Sequence, residues 1–207
     1  MAALAEGGHA APDVLLYAGT HHPSKEPLLY VLFACRLTLA AVMTLAAVAK
    51  LRSSGAFAAS LEDFDFIPSR SHRPLAVLIP AAEVLIALLL ALPVTATTGL
   101  LAATLFCCGL TAVPILVVAR GKRMRCACFG VSEVRMSGWH IARNAVLLAV
   151  AGLGSFVAMS PGDGVPAQIP GIVLAVVAAS VLTTLIVSVD DIAALFESPV
   201  AAKSSGR

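Results

Sequence analysis

The sequence predicts an all-α membrane protein with five transmembrane helices. Three observations carry that expectation. Of 207 residues, 59% are hydrophobic and only 13% charged, where soluble domains carry about a quarter charged residues. The apolar residues are gathered into runs close to the roughly 20 residues that cross a bilayer, and the mean hydropathy is +0.93. The Lys and Arg residues fall mostly in the connections between those runs. A water-soluble chain this short cannot enclose several helices that are apolar on every face.

Residues 1–27, rich in Ala, Gly, Pro and His, form a tail with no positive segment ahead of an apolar core, so they do not have the pattern of a cleaved signal. His9, His21 and His22 lie there with no Cys or carboxylate at regular spacing, and the expectation is a solvated tail. The first span covers Leu28 to Leu51, with Arg36 well inside it and Lys50 and Arg52 at its end. Ser53 to Pro74 is a polar connection. Within it Phe57, Leu61 and Phe64, at helical spacing beside Glu62, Asp63 and Asp65, predict a short amphipathic helix at the membrane surface. The second span, Leu75 to Leu92, contains Pro80 and Glu83, and the third, Gly99 to Ala119, contains Cys107, Cys108 and Pro114. Trp139 marks an interface ahead of the fourth span, Ile141 to Met159. A Pro/Gly turn leads to an uncharged fifth span, Gly171 to Val189, and residues 190–207 are a polar, disordered tail.

This threading puts Lys50, Arg52, Arg70, Arg73, Arg120, Lys122, Arg123, Arg125, Arg135, Arg143, Lys203 and Arg207 on one side, and only Lys25 on the other. The excess of positive charge marks the cytoplasmic side. The expected location is therefore the cell (inner) membrane, with the N-terminus outside and the 120–137 loop and C-terminus in the cytoplasm. The net charge of +2 is too small to suggest a nucleic-acid partner.

Two groups of residues carry candidate chemistry. Charged residues within a bilayer are expensive and are usually paired inside the bundle. Counting 1.5 Å per residue from the span ends brings Arg36 and Glu83 to similar depths, which predicts an ion pair between antiparallel neighbours. That pair either fixes helix register or marks a proton or quinone site. The second group is the run Arg120-Gly-Lys-Arg-Met-Arg-Cys-Ala-Cys-Phe-Gly130. Cys126 and Cys128 stand among fixed positive charges, which favour the thiolate, and Arg143 follows in the next span. A disulfide across one intervening residue needs a tight turn and is easily reduced. Thiol redox, a structural role and soft-metal binding with His140 all remain open on these residues. Cys35, Cys107 and Cys108 lie at comparable depth and either pack as small hydrophobes or form a second thiol centre. The odd count of five cysteines is not a disulfide framework.

Lys50-Leu51, Phe57-x3-Leu61-x2-Phe64-x2-Ile67-Pro68, Pro80-x2-Glu83, Arg120-Gly121, Cys126-x-Cys128-Phe129-Gly130 and Arg143-Asn144 resemble, in that order, the MauE family, which is related to the DoxX-like four-helix membrane proteins. The resemblance covers 28–159 and leaves the extra helix at 160–189 outside it. It implies a four-helix membrane core with Cys126 and Cys128 as a thiol pair, Glu83 as a buried acid and Arg143 near the thiols. It also implies thiol–disulfide exchange with a thioredoxin-like partner, for maturation of an exported, disulfide-containing client such as the methylamine dehydrogenase small subunit. Ala127 departs from the family pattern, in which a polar residue or Gly is common between the two cysteines. Quinone is the cofactor candidate, and no metal site is assigned. The competing reading is a non-catalytic membrane assembly factor or complex subunit.

Overall fold

The computed structural model describes residues 26–62, 68–120, 138–160 and 168–196. Six helices follow in order among these: α1 (Glu26–Arg52), α2 (Ser54–Glu62), α3 (Ser69–Ala91), α4 (Ala96–Ala119), α5 (Gly138–Ala158) and α6 (Ile169–Phe196). No strand occurs among the described residues. All but α2 are long and apolar enough to cross a membrane.

Helix α1 is the hub, packing against each of the other helices. Glu26 in its first turn and Lys50 and Arg52 in its last complement the helix dipole. Its inward stripe of Leu39, Val42 and Met43 meets Ile86 and Leu90 of α3, Leu100, Ala103 and Cys107 of α4, and Leu147 and Ala151 of α5. The outward faces carry Val77, Leu85 and Leu88 of α3, Leu105 of α4, Phe156 of α5 and Leu174 of α6, all exposed. A soluble monomer rarely shows so much apolar surface. Here it is the face that meets lipid, and this is a multi-pass membrane protein.

Close packing rests on small residues. A Cβ on Gly154 would lie 2.8 Å from Leu100 Cδ2 and 3.2 Å from Cys35 Cβ, so α5 approaches both α4 and α1 there. At the α3–α4 turn, Leu92 is extended because Pro93 follows it. Thr95 Oγ1 then donates to Leu89 O at 2.8 Å, satisfying a carbonyl in the last turn of α3. Gly99 fits against this corner, where a Cβ would stand 2.9 Å from Leu90 N.

Helix α6 runs parallel to α1. A Cβ on Gly171 would collide with the Tyr30 ring, and the buried Ala175 and Ala179 continue the line one and two turns on. Small residues at this spacing let membrane helices approach closely. Tyr30 Oη accepts from Gln168 N at 3.2 Å and so ties the two helix starts together.

The helix bounds differ from the expected spans at two ends. Helix α3 begins at Ser69 instead of near Leu75, because Pro74 falls in its second turn and interrupts only one backbone bond. Helix α6 continues to Phe196 where a disordered tail from 190 was expected. Asp190 and Asp191 interrupt its apolar run without ending the helix. The amphipathic helix expected at Phe57 and Leu61 is α2, and both side chains are buried, with the helix seated on α3. Phe64 lies outside the described residues.

Candidate functional site

Among the described residues, the charged side chains buried in the bundle interior converge. Lys50 of α1 donates to Glu83 Oε1 of α3 at 2.5 Å. Lys50 is 3% exposed and Glu83 1%, and Arg143 and Asn144 of α5 are 2% and 4% exposed. All four line one cavity, of about 10 Å³, with Met43, Ala46, Leu110 and Leu147. Asn144 Nδ2 donates to Leu110 O of α4 at 2.8 Å. Helices α1, α3, α4 and α5 therefore each bring a polar group to one place. From outside this group Phe57 of α2 covers Lys50, whose Nζ lies 5.6 Å from the ring centroid, a favourable cation–π distance.

Lys50 and Glu83 act as a unit. Taking two ions out of water costs several kcal/mol each, roughly offset when they meet with good geometry and further hydrogen bonds. The pair holds α1 and α3 in one register. A void of about 10 Å³ has room for roughly one water. It does not admit a quinone ring, so no step is assigned to quinone here.

The expected pairing of Arg36 with Glu83 is corrected by this geometry. Arg36 Nε and Nη2 both donate to Leu90 O, at 3.2 and 2.9 Å. Leu90 lies in the last turn of α3, seven residues from Glu83, or about 10 Å along the helix. The depth count failed because α1 overhangs the α3–α4 turn, so that its eleventh residue is level with the end of α3. A cation at a helix C-terminus is favourably placed against the last carbonyls.

Lys50 was counted as a topology marker, yet a signal for its role was present. Leu39, Met43, Ala46 and Lys50 share the spacing of one helical face, and that face is the buried one. Asn144, Leu147 and Ala151 form the corresponding stripe on α5.

The second thiol centre, the alternative to simple packing for these three cysteines, does not assemble among the described residues. Cys35 and Cys107 are buried free thiols and Cys108 is exposed. Cys35 is level with Leu100 and Gly154, whereas Cys107 lies two turns further along α4, about 10 Å away. Cys126 and Cys128 lie outside the described residues. Their segment, 121–137, leaves the end of α4 and enters α5 at Gly138, five residues before Arg143. Arg143, placed near the thiols by expectation, is thus a member of the Lys50–Glu83 cluster.

The family model described as "Methylamine utilisation protein MauE" matches residues 28–157, the whole of α1 to α5 apart from their outermost residues. The methylamine utilization protein MauE of Paracoccus denitrificans is 29% identical over 142 residues, covering 68% of this chain and 73% of that protein. No solved structure matches. With its matched segment containing Lys50, Glu83, Arg143 and the Cys126-x-Cys128 pair, the chain belongs to the MauE family.

Proposed function

We propose that this protein serves methylamine utilisation as a membrane component that exchanges thiols and disulfides with a thioredoxin-like partner. The observation that carries the proposal is the position of the buried Lys50–Glu83–Arg143–Asn144 cluster. Two of its members, Arg143 and Asn144, sit on α5, which leads out of the segment bearing Cys126 and Cys128, and Asn144 bonds α4, which leads into it. Ionisable residues kept inside a membrane bundle, at a cost, are by default part of a working site.

In this reading the thiolate of Cys126 or Cys128 attacks a sulfur of the partner's disulfide. The partner's S–S bond breaks, and its departing sulfur takes a proton. The second cysteine then attacks the mixed disulfide and releases the partner as a dithiol. Two electrons and two protons pass to the partner and leave a Cys126–Cys128 disulfide. A dithiol on the client protein reduces that disulfide in the same way and is itself oxidised. Arg143 and the neighbouring basic residues favour the thiolate form, and Glu83 holds the Lys50 end of the cluster in place.

The separation of Cys35 from Cys107 and the size of the cavity favour exchange at the loop face alone. The Lys and Arg count favours a cytoplasmic loop in the inner membrane with the N-terminus outside. Replacing Cys126 or Cys128 with Ser is expected to abolish client maturation in cells while leaving the thermal midpoint within about 2 °C of wild type. Two Ser variants that still mature the client would overturn the exchange reading.

One observation favours a second reading, that of a non-catalytic assembly factor. The cavity admits roughly one water, as expected of a structural pin between helices. On that reading both Ser variants are silent.

A further inference from the structure

Pro114 lies inside α4. It has no N–H, so the carbonyl four residues back, that of Leu110, has no donor on its own helix. In a membrane interior lipid supplies none, and the carbonyl must find a partner within the protein or in the cavity it lines. Asn144 Nδ2 supplies it from α5, at 2.8 Å. One turn earlier, Thr111 Oγ1 donates to Cys107 O at 2.7 Å, so two successive turns of α4 ahead of Pro114 carry side-chain donors. Asn144 is the neighbour of Arg143 in sequence, and the two line the same cavity with Lys50 and Glu83.

We infer that Pro114 and Asn144 are a matched pair, the proline opening a backbone acceptor on α4 and the amide closing it from α5. Asn144 is thereby a positioning residue that holds the Arg143 turn in the cluster. The bond joins the two helices that the thiol-bearing segment connects. Its functional consequence rests on the exchange reading above, whereas the pairing itself does not.

The test is a double-mutant cycle on the full chain in detergent or lipid discs. Asn144→Leu leaves Leu110 O without its donor and is expected to lower the thermal midpoint by about 5 °C. Pro114→Ala restores an N–H that bonds Leu110 O within α4, so adding Asn144→Leu to it is expected to cost less than about 2 °C. Equal shifts in both backgrounds would overturn the pairing. If Asn144→Leu alone does not accumulate as folded protein, the yield is read in place of the midpoint. Pro114→Ala must then rescue it, and failure to rescue overturns the inference.

The positioning role has its own readout, the pH at which Cys126 and Cys128 become half-maximally alkylated. Asn144→Leu is expected to raise that pH, and Pro114→Ala/Asn144→Leu to return it to that of Pro114→Ala. A cycle that couples in stability while the thiol profile stays fixed would overturn the positioning role. Failure of the exchange reading shows separately, as wild-type thiols that never cycle between oxidised and reduced forms.

Discussion

The two ends of the bundle use charge in opposite ways. Near the loop that carries the Cys-x-Cys pair, Lys50 and Glu83 are fully buried against each other, with Arg143 and Asn144 beside them. At the other end, Arg36 is only half-buried and holds a helix-end carbonyl. The helices there are brought together by close contacts at Gly99, Gly154 and Gly171. One end is organised by polar groups that must be matched, the other by the absence of side chains. A charged residue in a span therefore says little until its partner is known. Arg36 looked deep by count and is level with a turn, while Lys50 looked terminal and lies in the core.

That contrast can be broken most sharply at the ion pair. Glu83→Leu or Lys50→Met alone is expected to cost about 3–5 kcal/mol, because each leaves the other charge buried. The double variant should cost less than the sum of the two singles, as measured by thermal unfolding in detergent. A double that costs the sum of the two singles would mean that the two residues do not act as a unit.

At the opposite end the penalty is steric. Gly171→Leu is expected to cost about 1–3 kcal/mol through overpacking against Tyr30. Tyr30→Ala in the same chain should recover most of that loss, read as restored resistance of α6 to proteolysis. No recovery would show that α6 is held elsewhere.

The smallest effect is expected at Arg36. Arg36→Met removes two bonds to one carbonyl at a helix end and should cost about 1 kcal/mol. A loss as large as that of Lys50→Met would erase the distinction between the two ends.

Most of the architecture was legible in the sequence because lipid imposes a simple rule. Each span needs about 20 apolar residues, and the runs at 28–51, 75–92, 99–119, 141–159 and 171–189 satisfy it. What periodicity alone did not supply was register. Helix α1 begins outside the level of the α3–α4 turn, and that offset moves the partner of Glu83 from Arg36 to Lys50. The extension of α6 past Val189 was equally hidden, since two aspartates interrupt an apolar run without ending a helix. Arg143 and Glu83 were singled out from the sequence as separate elements, one near the thiols and one within a span. The fold places them in one cavity. Asn144 was visible only as Arg143's neighbour in a motif, because its role depends on a carbonyl that Pro114 exposes on another helix.

The most direct measurement is acid-trapped redox labelling of Cys126 and Cys128 in native membranes, using an impermeant maleimide on sealed vesicles of both orientations. A disulfide is expected that opens on mild reduction, re-forms with an oxidised thioredoxin-like protein, and is labelled from the cytoplasmic face. Thiols that stay reduced and unreactive under oxidant would contradict it and leave a structural assembly factor in its place.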